Sequence, residues 1–351
     1  MSISVILLLV AAGVLILPSL GGDDDGDENT DSRNEILGGP ENDDVTGTTG
    51  NDLIRTFLGN DTIDGGAGND EIRAGDGEDV VMGGTGLDFI RGGAGNDEIY
   101  GNEDIDRIIS DRGDDTVDAG PGADVVRGGQ GNDIIRGGYD VELDGNGNPI
   151  GTFNAADQLS GEVGNDTLYA WGGGSTMTGG GTIPAGESDE DTLVLVTGEA
   201  TMTGGSQDDD YYVLANIRDD ATTDATITGF NFADDDLVMT IDYDPAASPV
   251  PTDPEVEVRY EDVASDGEFG AGTLITVTLV GSNDISGGDY EGSSVFIEGR
   301  SAADIEAAGA SFRFDVYLTT NADYDDPDAT LAAIDAGTAL TMTEFFPAPP
   351  P

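Results

Sequence analysis

The 351-residue chain contains no cysteine, no histidine and no lysine. Without cysteine it can form no disulfide and carry no lipoprotein anchor. Without histidine it cannot assemble Ser-His-Asp or Cys-His catalysis, a helical HExxH zinc site or a histidine general base. The common catalytic constellations are therefore excluded, and any structural staple has to come from other groups.

Positive charge is scarce as well, because twelve arginines face 72 acidic residues and the formal net charge is −60. No basic patch or Walker loop is present, so nucleic acid is not an expected partner. By charge and hydropathy alone, such a chain is typical of disordered proteins. Paired carboxylates could serve glycosidase chemistry, but among 72 acids their adjacency carries almost no information.

What is present is a repeat of eleven contiguous nine-residue units from Gly38 to Arg136. Every unit has aspartate at its sixth position and a β-branched aliphatic residue two positions later. A fixed period of turn, acid and one aliphatic residue predicts a solenoid. The aspartates are Asp43, Asp52, Asp61, Asp70, Asp79, Asp88, Asp97, Asp106, Asp115, Asp124 and Asp133. The aliphatic residues are Val45, Ile54, Ile63, Ile72, Val81, Ile90, Ile99, Ile108, Val117, Val126 and Ile135.

One unit, GGAGNDEIR (65–73), shows what the repeat predicts. Its glycines indicate a loop over the first six residues, and the last three residues form a minimal strand with Ile72 directed inward. If two units make one coil, residues eighteen apart stack at about 4.8 Å in a parallel sheet. Carboxylates stacked so closely need a cation, and an all-oxygen ligand set favours calcium over zinc or copper.

The units resemble the RTX, or hemolysin-type, calcium-binding nonapeptide GGxGxDxUx, which residues 65–73, 92–100 and 128–136 match at every specified position. The resemblance implies an all-β parallel β-roll with calcium held between loops on the same edge, at most about nine ions in 38–136. The implied ligands are the sixth-position aspartates and the carbonyls of the glycine region. The glycines assigned on this basis are Gly66, Gly68, Gly84, Gly86, Gly93, Gly95, Gly129 and Gly131.

Some units depart from the pattern. Glu41 and Asp104 replace the second-loop glycine, and unit 56–64 lacks the glycine pair, so weaker or distorted sites are expected there. The register breaks after Gly138 and resumes in units 152–160 and 161–169, which add Asp157 and Asp166 to the predicted metal ligands. Units 170–178 and 195–203 carry Ser175 and Ala200 at position six, and we expect them to stack without metal.

Two other features outside the acidic positions have competing interpretations. Arg55, Arg73 and Arg91 lie eighteen apart and predict a column of arginines. This column could bind an anionic partner or could offset neighbouring acids such as Asp64, and the acidity of the chain favours the second reading. Trp171 is expected to pack in the core rather than to form a ligand platform.

The ends of the chain suggest export. Residues 3–17 form an apolar run of fifteen, which as a helix would span roughly 22 Å and so suits a signal peptide better than a membrane anchor. Both readings of 1–21 remain open, and residues 22–37 read as an acidic linker. Extracellular modules bind calcium at about 10⁻⁴ to 10⁻³ M, so the repeats should stay unfolded in the cytosol and fold outside the cell.

Beyond the regular roll (38–136), the sequence predicts degenerate repeats over 137–212 and a β-rich C-terminal domain over 213–351. The leading hypothesis is a bacterial secreted or cell-surface calcium-binding protein without catalysis. Two alternatives stay open: a carbohydrate-active enzyme with its site in 213–351, and a matrix or adhesion protein in which calcium bridges copies. Expected partners are calcium, with extracellular matrix, polysaccharide or self-association as further candidates, and a membrane only through the N-terminal segment.

Overall fold

The chain folds almost entirely into β-strands. The computed structural model describes residues 15–17, 33–138, 141–143, 149–152, 155–171, 173–180, 188–215, 223–242, 255–265, 271–280, 294–308, 313–319, 331 and 340–341. Contacts divide the chain into two compact units. The first unit is Met1–Gly151 with Ala155–Asp166, and the second unit is Thr152–Asn154 with Thr167–Pro351.

The strands of the first unit follow the nine-residue period. They are β1 (Leu15–Leu17), β2 (Asn34–Leu37), β3 (Asp44–Thr46), β4 (Asp52–Leu58), β5 (Thr62–Asp64), β6 (Glu71–Asp76), β7 (Val80–Thr85), β8 (Phe89–Ala94), β9 (Glu98–Glu103), β10 (Arg107–Arg112), β11 (Thr116–Asp118), β12 (Val125–Gln130), β13 (Ile134–Arg136), β14 (Val141–Leu143), β15 (Pro149–Thr152) and β16 (Gln158–Val163). Of these, β14 and β15 pair with each other.

The remaining strands of this unit form two sheets. The first sheet has the order β1-β2-β4-β6-β8-β10-β12-β16, and the second has the order β3-β5-β7-β9-β11-β13. Neighbours are parallel except β1, which is antiparallel to β2. Ile54 pairs with Ile72, and Ile72 with Ile90, so residues eighteen apart stack. The prediction that two units make one coil is confirmed, as is the parallel β-roll.

The core of the first unit is two columns of aliphatic side chains. Each is at most 2% exposed, because position eight of every unit points inward and stacks on its copies. The column of the first sheet is Ile36, Ile54, Ile72, Ile90, Ile108, Val126 and Leu159. The column of the second sheet is Val45, Ile63, Val81, Ile99, Val117 and Ile135. A core of this width buries few side chains per residue of chain, which makes other stabilising contacts necessary.

The expected strand of three residues is wrong for many units. Strand β6 runs from Glu71 to Asp76, so the first three residues of the next unit continue the strand. The same holds for β7 to β10 and for β12. The reason is that the backbone ladder does not stop at the glycines: Gly75 remains in register with Gly93.

The second unit has strands β17 (Thr167–Trp171), β18 (Ser175–Gly180), β19 (Thr192–Thr197), β20 (Glu199–Thr203), β21 (Asp210–Ala215), β22 (Asp224–Ile227), β23 (Asp236–Asp242), β24 (Glu255–Val263), β25 (Gly272–Val280), β26 (Ser294–Glu298), β27 (Arg313–Thr319) and β28 (Leu340–Thr341), and helix α1 (Ala302–Ala308). Its sheets have the orders β18-β20-β22-β26-β25-β24 and β17-β19-β21-β23-β27-β28.

Parallel pairing runs from β18 to β26 in one sheet and from β17 to β27 in the other, and the outermost strands pair antiparallel. The boundary expected at residue 213 therefore falls inside β21, between two parallel neighbours. Strands β24 to β27 lie in the segment for which the sequence predicts β-rich structure. Residues 225–243 form two strands, β22 and β23, with a turn between them.

Two local contacts help to fix this unit, and the second confirms the prediction made for Trp171. Ser301 and Asp304 cap α1 reciprocally, with Asp304 N–H donating to Ser301 Oγ (3.2 Å) and Ser301 N–H to Asp304 Oδ2 (2.7 Å). Trp171 is 6% exposed and packs in an apolar cluster with Tyr169, Val194 and Leu214. This position suits core packing and not a ligand platform.

Several predictions concern residues that lie largely outside the described part of the chain. They are the N-terminal segment 1–21 (apart from β1), the acidic linker before Arg33, and the end of the chain. Helix α1 has seven residues, and within the described part of the chain there is no helical segment with the length and apolar character of a membrane span.

Two adjacent isoleucines test the core column. Ile135 is fully buried, whereas Ile134, on the other face of β13, is 37% exposed. We expect Ile135→Ala to lower the free energy of unfolding by about 2–5 kcal/mol because it opens a cavity between stacked coils. Ile134→Ala should change it by less than about 1 kcal/mol. Denaturant titration at saturating calcium measures both, and equal losses would contradict the described packing.

Candidate metal centre

Two rows of aspartates line the two edges of the first unit. Ladder 1 comprises Asp52, Asp70, Asp88, Asp106, Asp124 and Asp157, and ladder 2 comprises Asp43, Asp61, Asp79, Asp97, Asp115, Asp133 and Asp166. In both ladders the backbone N–H of each aspartate donates to Oδ1 of the next, at 2.7–3.1 Å. These bonds fix one carboxylate oxygen of each side chain in the stacking direction.

The second carboxylate oxygen is the unusual atom. The ladder aspartates are at most 5% exposed, so they lie among the most buried polar groups of the chain. Oδ2 is buried without a hydrogen-bond partner in Asp61, Asp70, Asp79, Asp88, Asp97, Asp106 and Asp133. A buried carboxylate oxygen without a donor is costly, because ionisation then lacks both solvent and a counter-charge.

The pKa values of these carboxyls reflect that cost. Burial raises the pKa of Asp97 and Asp106 to about 8 and that of Asp70 and Asp133 to about 7. The backbone hydrogen bond to Oδ1 opposes the shift, and neighbouring ladder carboxylates add to it. Burial also raises the pKa of Asp79 and Asp88 to about 6. Without a cation, part of each ladder would be protonated near neutral pH.

Glycines shape the loops that carry the ladders. All eight glycines assigned from the sequence have positive φ, between 97° for Gly66 and 132° for Gly131. A Cβ at Gly84 would stand 1.9 Å from the carbonyl oxygen of Gly66, and one at Gly92 would stand 2.4 Å from Asp97 Oδ2. The loops therefore stack with carbonyl oxygens and carboxylates packed together, and the stacking leaves no room for side chains.

Loops that lack glycine adjust their backbone. Phe57, Asn102 and Asp111 at position two, and Asp104 at position four, have φ between 73° and 81°, whereas Gly93 and Gly129 have 129° and 125°. A positive φ is uncommon for a residue with a bulky side chain. The departures noted in the sequence at Asp104 and in unit 56–64 are therefore local changes of the loop backbone. The hydrogen bonds between ladder aspartates continue at these loops.

A second row, at position five, was missed by the sequence analysis. The Oδ1 atoms of Asn42, Asn51, Asn96 and Asn132 accept the backbone N–H of position five in the next loop, at 2.9–3.0 Å. These side chains are on the outside of the loops. The signal was available, because Asn precedes Asp in most units, but it is easily taken for an ordinary turn residue.

The first carboxylates of each ladder differ from those further along. Asp43 Oδ2 accepts the backbone N–H of Gly39 at 2.6 Å. Asp52 Oδ2 accepts the backbone N–H of Thr48 at 2.6 Å and its hydroxyl at 3.0 Å. Protein donors therefore satisfy these two oxygens, and the demand for a cation is concentrated on the later members of the ladders.

The arginine column does form, but its ion-pair partners differ from the expected one. Arg55, Arg73 and Arg91 are register neighbours on the outward face of the first sheet. Arg73 contacts Glu71 at 2.6 Å, and Arg91 contacts both oxygens of Asp111 at 2.5 and 2.9 Å. Asp64 lies on β5, in the other sheet. The described partners support the reading that these arginines offset acids on their own face.

The second unit contains a third, shorter row. Ladder 3 comprises Asp191, Asp209 and Asp235, with N–H to Oδ1 distances of 3.1 and 3.3 Å, and each member is at most 2% exposed. The opposite edge carries Ser175, Ala200 and Ala225 in register, so the expected stacking of Ser175 and Ala200 is confirmed. Asp235 was missed because its loop has lost the glycines and only Asp-x-Leu remains of the repeat.

The donor set fits a hard cation. Across the described ranges, no three acidic side chains converge on one point. A site between two stacked loops would therefore combine ladder carboxylates with loop carbonyl oxygens, all of them oxygen donors. Oxygen-only sites in which carbonyls supplement carboxylates suit calcium, which accepts six to eight ligands in flexible geometry. A cation at such a site would explain why these Oδ2 atoms are buried without hydrogen-bond partners.

Comparison with known proteins agrees with this geometry. The family described as RTX calcium-binding nonapeptide repeat (4 copies) matches the chain at residues 37–72, 73–108, 109–138 and 152–181. No curated protein matches the chain. Among solved structures, a hyperactive, Ca²⁺-dependent, beta-helical antifreeze protein from an Antarctic bacterium is similar at 21% identity, over 60% of this chain and 75% of that chain, with a TM-score of 0.31.

The pKa shifts predict how the calcium-free fold depends on pH. The folded-state pKa values of about 6–8 lie above the ordinary value of 3.8, so the folded state binds more protons than the unfolded state between these limits. The stabilising contribution is therefore complete below about pH 4 and is lost as the pH rises through 6–8. In chelator, far-UV circular dichroism should show more β-structure at pH 5 than at pH 8.

Lower net charge would also favour compaction at pH 5, so variants are needed to separate the two effects. Asp97→Asn and Asp44→Asn remove the same formal charge, but Asp97 is buried in ladder 2 and Asp44 is exposed. The pH at which half of the β-structure is lost should change in Asp97→Asn and should stay the same in Asp44→Asn. A midpoint that is identical in the two variants would contradict the assignment to buried carboxyls.

Proposed function

We propose that this chain, which carries RTX calcium-binding repeats in residues 37–138 and 152–181, is a secreted or cell-surface protein without catalysis that folds on binding extracellular calcium. The observation that supports this most directly is the row of buried, unpartnered Oδ2 atoms in ladders 1 and 2. The metal ligands we propose are the aspartates of these two ladders with the carbonyls around the eight assigned glycines.

Electrostatics explains why calcium would decide folding. Carboxylates that repeat at the strand spacing of about 4.8 Å repel one another by on the order of 3 kcal/mol per neighbouring pair, at an effective dielectric constant of about 20. The narrow aliphatic columns supply limited compensation for the entropy of ordering the chain. Bound calcium would supply two positive charges at each site and link one loop to the next, so that binding energy becomes folding energy.

The same balance suggests where the protein works. Calcium at extracellular concentrations, about 10⁻³ M, is in the range where such modules load, whereas the cytosol is far below it. The apolar run in residues 3–17 is consistent with export. The sequence contains no histidine or cysteine. In this proposal the repeats therefore have a structural role, and the ligand that they bind is calcium.

Calcium titration of the chelated protein tests the central claim. We expect far-UV circular dichroism to show cooperative gain of β-structure with a midpoint between about 10⁻⁴ and 10⁻³ M, reversed by chelator. Magnesium at the same concentration should not replace calcium, because it demands compact octahedral geometry and keeps its waters. A spectrum that calcium leaves unchanged would refute the proposal.

Two adjacent aspartates provide a matched test of the ligands. Asp115 is a buried member of ladder 2, and Asp114 is exposed, with Oδ1 accepting the N–H of Asn132 at 2.8 Å. Asp115→Asn should raise the calcium midpoint at least about tenfold, because a charged ligand is lost. Asp114→Asn removes the same charge but keeps an accepting oxygen, and should shift the midpoint less than about twofold. Equal shifts in isothermal titration would show that overall charge, and not ladder 2, controls binding.

A further inference from the structure

The last loop of ladder 3, residues 230–235, differs from most loops of the first unit in how its carboxylate oxygens are satisfied. The first loops of ladders 1 and 2, at Asp52 and Asp43, do have a similar backbone donor to Oδ2. Both carboxylate oxygens of Asp235 accept backbone N–H groups, Oδ1 from Asp209 at 3.3 Å and Oδ2 from Asn231 at 2.7 Å. In Asp70, Asp97 and Asp106, Oδ2 has no such donor. The carboxylate that ends ladder 3 is therefore neutralised in part by the backbone of its own loop.

The loop is also closed by hydrogen bonds within itself. The N–H groups of Asp234 and Asp235 donate to the carbonyl oxygen of Asn231 at 3.1 and 2.9 Å. The side chain of Asn231 accepts from Ala233 N–H at 3.2 Å and donates to Asp234 Oδ2 at 2.7 Å. An Asn-based turn of this kind holds its shape through local contacts, without the stacked glycine loops of the repeats.

Two arginines bind the carbonyl oxygens at the two ends of this loop. Arg300 donates from Nε and Nη2 to the carbonyl oxygen of Phe230, at 3.0 and 2.7 Å, and its guanidinium lies 5.3 Å from the ring centre of Phe232. Arg313 donates to the carbonyl oxygen of Asp234 and to Asp208 Oδ1, the latter at 2.8 Å, and it also contacts Asp236. Two positive charges thereby contact four acidic or carbonyl groups of this region.

Both arginines are held in place by the surrounding fold. The fully buried Thr273 donates from Oγ to the carbonyl oxygen of Arg300 at 2.9 Å, in the turn between β26 and α1. Arg313 begins β27 and is the register partner of Asp236 in β23. The guanidinium groups therefore reach the loop from two separate segments, and the backbone of each segment is held by strand or turn structure.

We infer that Arg300 and Arg313 take the place of calcium at this loop, so that the end of the second unit around β23 and β27 folds without metal. The inference rests on the proposed function, because it contrasts this loop with loops that need calcium. The positive charges at this loop are part of the chain, and they are present at any calcium concentration.

Hydrogen exchange of the full chain tests this inference in chelator and at about 1 mM calcium. In chelator we expect amides of β23 and β27 to exchange at least about a hundredfold more slowly than those of β6 to β12. Rapid exchange in both regions would overturn the inference and leave the proposed function intact. Slow exchange in both regions would instead contradict the proposed function, and the variants below would then decide the inference.

The variants are Arg300→Ala with Arg313→Ala, and Arg91→Ala as a control. Arg91 is also ion-paired, with Asp111, but on the outward face of the first unit. In chelator the double variant should lose protection of β23 and β27 by at least about tenfold, while the control retains it. Arg300→Lys keeps the charge but cannot make the paired hydrogen bonds, and should restore only part of the protection. Full protection in the double variant would overturn the inference.

Discussion

Backbone N–H groups hold one oxygen of the carboxylates that follow the first member of ladders 1 and 2, and in members such as Asp70 and Asp97 the other oxygen is buried beside like charges. The rest of the first unit accommodates that constraint. Loops stack at strand spacing because the same hydrogen bonds run from coil to coil. Glycine lies where carbonyls and carboxylates leave no room for a Cβ. The aliphatic columns set the direction of stacking, but they are narrow and the loops are charged, which is the basis of the proposal that the fold depends on a cation.

The two units differ in the groups that surround their buried carboxylates. The first has two carboxylate ladders carried mostly by glycine-rich loops. The second keeps one ladder, replaces the other with Ser175, Ala200 and Ala225, and ends its remaining ladder against two arginines. Its core is also broader, with aromatic side chains such as Tyr169, Trp171 and Phe230.

Much of the first unit could be predicted from the sequence, because positions six and eight repeat with a strict period and each has one physical role. The strand lengths could not, since continuation through glycine depends on hydrogen bonds from both neighbouring coils. The partners of Arg73 and Arg91 depend on which outward residues lie beside them after stacking. Asp235 could not be recognised from the sequence because its loop closes through Asn231 rather than glycine. Only the hydrogen bonds of Asp235 place it in a ladder.

Ladder neighbours are usually eighteen residues apart, but Asp133 and Asp166 are thirty-three apart, and Asp209 and Asp235 are twenty-six apart. The chain therefore has extra residues between some ladder neighbours, and the hydrogen bond between those neighbours still forms. A solenoid built in this way can gain or lose length at either edge during evolution without disturbing distant coils. A gain or loss of eighteen residues keeps every later loop on its original edge, whereas a gain or loss of nine would move it to the other edge. A gene that encodes such a repeat should therefore grow by pairs of units.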